Sequence, residues 1–208
     1  KIIKSTSINK TEISKIIKLN TPSESPLIFD VGANKGQSVV YFEKIFKSPR
    51  IHCFEPNSEE LNKIKLQFNN DNIVLNNCAV GEKSDKKEFN ITAISGHSSF
   101  KNINFKSTWV KERSKSININ SNDYIKDRIK VPQISLDDYT KKNNIDFIDI
   151  LKIDTQGYED KVLEGCHELL KNKKINLIKI ELILSEVYEN NLQFYDIEKH
   201  LIPNNYKL

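Results

Sequence analysis

Methionine is missing from the 208 residues altogether, tryptophan occurs once, and cysteine three times. The chain starts at Lys1 rather than at Met, so it is expected to begin downstream of a natural start. Cys53, Cys78 and Cys166 are too few and too scattered for a disulfide framework. Their spacing matches no metal site, and their apolar contexts read as buried free thiols, which fits a reducing cytoplasm. A run of about 18 apolar residues is also missing, which excludes a transmembrane helix. The opening Lys1-Ile2-Ile3-Lys4-Ser5-Thr6-Ser7 lacks the apolar core of a signal peptide. Two phosphate-binding patterns are absent as well. No G-x-G-x-x-G opens a helix after a strand, and no G-x-x-x-x-G-K-[ST] occurs.

What remains suits one globular domain, with 38% hydrophobic residues and a net charge of +4. The pI near 8.8 is the one feature that points to nucleic acid. Lys, Asn and Ile are used heavily along the whole chain and Lys far outnumbers Arg. The basicity therefore reads as compositional bias, and no nucleic-acid partner is expected.

The informative stretch is Leu27-Ile28-Phe29-Asp30-Val31-Gly32-Ala33-Asn34-Lys35-Gly36. An apolar run ends in an acid, then a tight Gly loop, then a helical segment. An α/β sheet presents nucleotide-like ligands in this way, at the carboxyl end of its first strand. The D-x-G-x-x-x-G form has no phosphate to cradle and suits S-adenosylmethionine, with a sulfur centre and an amino-acid tail. Asn34 takes the place of a middle Gly, and Asn tolerates the left-handed conformation. Asp30 is expected to reach the ligand directly or through water. A second strand, Ile51-His52-Cys53-Phe54, ends at Glu55, whose carboxylate can accept from both ribose hydroxyls.

Strands and helices then alternate, which predicts a mostly parallel sheet covered on both faces. Ile13, Ile16, Ile17 and Leu19 mark a leading helix, so residues 1–25 read as helix and linker before a domain over 26–208. A helix over 37–47 is expected to turn Val40, Tyr41 and Ile45 inward. Ser58 reads as the N-cap of the next helix, with Leu61, Ile64, Leu66 and Phe68 inward. Residues 72–80 read as a third strand, and 88–92 as an edge strand. Residues 95–128 are polar, contain Trp109, and read as a lid or insertion. Strands follow at 148–154 and 175–184, with helices at 159–170 and 192–201.

Four groups of residues together resemble the FkbM-type methyltransferases over roughly residues 27–184. They are Phe29 to Gly36, Phe54-Glu55-Pro56, Leu136-Asp137-Asp138, and Leu151-Lys152-Ile153-Asp154-Thr155-Gln156-Gly157-Tyr158-Glu159 with Val162-Leu163-Glu164-Gly165. The last is the most specific. Ser98-Ser99 matches a further element of the family, while Gln156 stands where the family usually has Glu. The resemblance implies a Rossmann-like class I fold that binds S-adenosylmethionine and methylates a hydroxyl of a sugar, glycan or small natural product. It also implies a C-terminal hairpin that would begin where this chain stops, so truncation there is expected.

In such a fold the acceptor lies beyond the carboxyl ends of the strands. Asp154, closing the fourth strand, is the first candidate for base or orienting group. Lys152 shares its face and Glu181 is placed on the next strand. Ionisable groups there form either an ion pair or a support for the acceptor site. His97 reads as a general base or as a solvated loop residue. Ser98 and Ser99 bind ligand or cap a turn. Glu159 contacts the acceptor or favours a helix dipole. Gly32, Ala33, Asn34, Gly36, Pro56, Asn77 and Ala79 complete the cofactor set with Asp30, Glu55 and Asp154. Asp137 and Asp138 read as a helix N-terminus, and no metal is expected. Two other classes remain open. One is a nucleic-acid methyltransferase, which the missing Asn/Asp-Pro-Pro-aromatic tetrad disfavours. The other is a non-catalytic interaction domain, which the intact loop acids and glycines disfavour.

Overall fold

A computed structural model describes residues 10–207. Its centre is a five-stranded, wholly parallel sheet. The strands are β1 (Leu27–Val31), β2 (Arg50–Phe54), β3 (Ile73–Asn76), β7 (Ile148–Ile153) and β8 (Ile175–Ile180), in the order β3-β2-β1-β7-β8. Buried parallel strands are apolar on both faces, and β1 is buried at all five positions. Its alternating side chains feed two cores. Ile28 faces α1 (Lys10–Asn20), α2 (Gln37–Ile45) and α3 (Ser58–Gln67), through Ile17, Val39, Phe42, Leu61 and Ile64. Phe29 and Val31 face α5 (Leu136–Lys142), α6 (Glu159–Glu164), α7 (His167–Lys171) and α8 (Phe194–Leu201). The helix α1 is therefore part of the domain's packing and not a free leader, and Ser14 on it lies 3.0 Å from the Tyr41 hydroxyl on α2.

Several sequence expectations shift. The expected third strand is two. After β3 the chain turns at Asn77, and β4 (Ala79–Val80) joins a second sheet with β5 (Asp85–Thr92) and β6 (Ile125–Ile134), in the order β4-β6-β5. The expected edge strand is β5, paired antiparallel to β6 along its length. Residues 95–128 carry α4 (Thr108–Ser116) and a core of their own, in which Ile103, Val110 and Tyr124 pack with Val187 and Tyr188. Polar composition hid this because the apolar residues are widely spaced and are completed by a distant segment.

On α2, Val39 and Phe42 are fully buried, Tyr41 and Ile45 are half-buried and pack against the same core as expected, and Val40 is half-buried. On α3 the cap is Asn57, whose side chain accepts from Glu59 N at 3.0 Å, and not Ser58. Leu66 points to solvent, 88% exposed. The expected helix 159–170 breaks at Gly165, where an added Cβ would lie 2.0 Å from the Gly81 carbonyl oxygen. Asp137 satisfies the restart, accepting from Glu168 N at 2.9 Å and Leu169 N at 3.0 Å. Asp137→Ala is expected to cost about 1 kcal/mol in urea unfolding, the usual worth of a lost cap. A loss below about 0.3 kcal/mol would show that this acid does not hold the break.

Candidate functional site

The carboxyl ends of β1, β2 and β7 open into a cavity of about 400 Å3, within the range of small-molecule sites. The loop after β1 approaches the end of β7 so closely that a Cβ on Gly32 would stand 1.9 Å from the Asp154 carbonyl oxygen. Gly32 also has φ +78°, so both space and backbone demand glycine. Its N–H and that of Ala33 donate to the Phe54 carbonyl, at 3.0 and 3.2 Å. Asn34 takes φ 47°, the left-handed conformation expected of it, and Gly36 takes φ 81° at the cap of α2.

Glu55 lies at the cavity wall and is 7% exposed. Its Oε2 accepts from Asn34 N and its Oε1 from Asn57 N, both at 2.9 Å. Each carboxylate oxygen has two lone-pair sites, so each keeps one. Burial pushes the Glu55 carboxyl up to about 7, opposed by those two N–H donors. Ala79 and Pro56 line the cavity, with an apolar wall of Phe54, Val80, Phe89, Phe100 and Tyr158. Phe100 bridges the aromatic group, with ring centroids 5.1 Å from Phe89 and 4.8 Å from Tyr158. The sequence reading missed Phe89 on β5, Phe100 in the insertion and Tyr158 before α6, because only the tertiary structure brings these three segments together.

Lys152 is 4% exposed, and its ammonium has three neighbours. Nζ lies 3.0 Å from Asp30 Oδ1 and 3.6 Å from Asp154 Oδ2, and donates to the Gly32 carbonyl at 2.9 Å. The register explains this, since Asp30 on β1 pairs directly with Lys152 on β7. Burial works against the ammonium charge, yet Asp30 and Asp154 outweigh it and hold its pKa above the usual lysine value. Lys152 is therefore a fixed cation that ties the Gly loop to β7. The expected Lys152–Glu181 ion pair is not formed. Glu181 lies one residue past β8, which is an edge strand here, and is exposed on the cavity wall.

Asp154 lines the cavity with its side chain 26% exposed. Gln156 donates from Nε2 to its Oδ1 at 2.8 Å, and Tyr188 donates its hydroxyl to Gln156 Oε1 at 3.1 Å. A Glu at 156 would lack the donor that faces Asp154. Glu159, 1% exposed, folds back to accept from Thr155 N at 2.9 Å and Gly157 N at 3.0 Å. It shapes the loop after β7 and is not among the cavity-lining residues, contrary to the expected acceptor contact.

Other expected site residues also lie off the wall. Asp30 is fully buried behind Lys152. His97 Nδ1 is hydrogen-bonded to the Tyr124 hydroxyl at 2.6 Å, and its ring packs on Trp109 with centroids 5.1 Å apart. Burial and Arg113 lower its pKa. Ser99 is fully buried and donates to the Gln156 carbonyl at 2.7 Å, fastening the insertion to the loop after β7. Ser98 does line the cavity, and its Oγ accepts from Thr92 N at 3.1 Å. Asn77 is exposed and braces the Glu55 turn, donating to the Glu55 and Pro56 carbonyls at 3.0 and 3.1 Å. Gly36 lies behind the loop, against Phe68. Asp137 and Asp138 head α5. Among the described residues no group of three or more His, Cys, Asp or Glu could hold a metal, and no helix is long and apolar enough to cross a membrane.

Residues 30–208 match the family described as the Methyltransferase FkbM domain. A search of curated proteins found no match. Among solved structures, a protein described as an S-adenosylmethionine dependent methyltransferase from Listeria monocytogenes aligns at 14% identity and a TM-score of 0.26. That alignment covers 31% of this chain and 30% of the other. A protein described as a type II methyltransferase from Anaeromyxobacter dehalogenans aligns at 13% identity and a TM-score of 0.26, over 32% of this chain and 26% of the other. Both alignments span about a third of each chain or less.

Proposed function

Because the chain belongs to the FkbM methyltransferase family, a methyltransferase domain with S-adenosylmethionine as its methyl donor, we propose that it methylates a hydroxyl of a sugar, glycan or small natural product. One observation carries the reading. A single cavity joins Glu55, with free lone pairs, to Asp154, held in place by Lys152 and Gln156. The donor supplies an electrophilic methyl group on a sulfonium centre. Glu55 would hold the ribose hydroxyls, and Phe54, Val80, Phe89 and Phe100 would give the base an apolar wall. Asp154 would accept a hydrogen bond from the acceptor hydroxyl, hold its oxygen for in-line attack, and take the proton as the oxygen–carbon bond forms and the sulfur–methyl bond breaks, its electron pair leaving with the neutral thioether. Lys152 and Gln156 keep that carboxylate oriented. The three buried thiols fit a cytoplasmic setting.

The test begins with calorimetric titration of S-adenosylhomocysteine. A screen for transfer of radiolabelled methyl to hydroxyl compounds follows, with wild type and Asp154→Asn. The variant is expected to keep product affinity within about threefold and to lose about 100-fold or more in kcat, the usual worth of a positioned base. Full turnover by Asp154→Asn would remove Asp154 from the chemistry. Labelling of nitrogen acceptors alone would remove the O-methylation reading.

A further inference from the structure

The cavity continues past Asp154 to the β8 edge of the sheet, where Ile13, Ser38, Tyr41, Lys179 and Glu181 line it. Two lysines stand side by side there, since Lys152 on β7 pairs in register with Lys179 on β8. They differ in what surrounds them. Lys152 is ion-paired with Asp30 and Asp154 and donates to the Gly32 carbonyl. Lys179 is half-buried, and its ammonium has no ion pair or side-chain hydrogen bond among the described residues. The Glu181 carboxylate beside it has none either. Lys152 is already compensated by Asp30 and Asp154, so an anion that enters this end of the cavity meets Lys179, whose donors are not engaged by another side chain.

We propose that Lys179 is the anion-holding residue of this cavity. It receives a carboxylate or phosphate carried by a ligand, while Glu181 accepts from that ligand's hydroxyls. This rests on the cofactor placement proposed above and adds a substrate class to it, a hydroxylated anion such as a uronic acid or a sugar phosphate. Strand order favours the acceptor as the carrier. Neighbouring strands lie about 4.8 Å apart, so with β2, β1, β7 and β8 in that order, β8 stands about 14 Å from the strand that bears Glu55. Lys179 is thus on the far side of Asp154 from the ribose site. The same chemistry is carried by the carboxylate of the donor's amino-acid tail.

Both sources are read by one set of titrations on wild type, Lys179→Gln and Lys179→Arg. The probes are S-adenosylhomocysteine, 5′-methylthioadenosine (the same nucleoside without the amino-acid tail), and glucuronate and inorganic phosphate, each with and without bound nucleoside. The expected result is that Lys179→Gln leaves both nucleosides within twofold, weakens glucuronate or phosphate by about tenfold or more, and that Lys179→Arg restores the anion. If Lys179→Gln instead weakens S-adenosylhomocysteine by about tenfold and spares methylthioadenosine, Lys179 still holds an anion, and that anion is the donor's carboxylate. If the substitution changes none of the four, or wild type binds no anion and the nucleosides are indifferent, the proposal is overturned. Wild type that binds neither nucleoside defeats the cofactor placement, while the glucuronate and phosphate titrations still report on Lys179.

Discussion

Lys152→Ala is expected to cost about 3–5 kcal/mol in urea unfolding, the largest loss of any single substitution in the site. Asp30 is fully buried, and Lys152 is the only charge of opposite sign paired with it among the described residues. Removing the ammonium leaves a carboxylate in a low-dielectric interior with no counter-charge. Against the 5–15 kcal/mol that holds a domain together, this is a large fraction. The control is Asp30→Asn with Lys152→Met, which removes both charges and is expected to recover most of the loss, because a buried pair adds little over a well-packed neutral one. The double variant should nevertheless bind S-adenosylhomocysteine poorly, since Lys152 also holds the Gly32 carbonyl. A Lys152→Ala cost under about 1 kcal/mol would mean that water reaches Asp30 and that Lys152 does not hold its charge in the interior.

Glu55→Ala is expected to weaken S-adenosylhomocysteine roughly a hundredfold, since it removes the charged acceptor proposed for two ribose hydroxyls and frees the Asn34 and Asn57 N–H groups it now satisfies. The pH dependence carries a second signature. Burial puts the Glu55 carboxyl near 7, above its ordinary 4.5. The folded protein then holds a proton between those values that the unfolded chain has lost. Its contribution to stability is most favourable at acid pH and declines as pH rises toward 7. Binding has the opposite sense. The hydroxyls need the ionised carboxylate, so affinity should rise from pH 6 to pH 8, level off above, and release a proton on binding at pH 6. Calorimetry at three pH values, in buffers of different ionisation enthalpy, reads both. A flat profile in wild type, or an equally steep one in Glu55→Ala, would assign the proton elsewhere.

The tight loop from Asp30 to Gly36 and the acid after β2 were legible because their constraints are local. A left-handed turn calls for Gly or Asn, and a parallel strand is a continuous apolar run with its functional acid at the end. The strand–helix alternation, the Asp137–Asp138 helix start and the position of Asp154 were legible on the same grounds. Partners were not. Lys152 finds Asp30 rather than Glu181 because β1 and β7 are neighbours in register, a relation between residues 122 positions apart in the chain. Ser99, His97 and Glu159 looked like site residues by type and neighbourhood, yet backbone and aromatic groups from other elements engage them.

The sequence alone determined the parallel core and the tight Gly loop after β1, because hydrophobic period and backbone sterics act over a few residues, while its motifs carried the resemblance to the family. Only the tertiary structure decided the break of the third strand into two sheets, the folded insertion, the interruption at Gly165 and which charges meet. Each of these depends on a group that arrives from far along the chain, and its energy appears only when that group is in place.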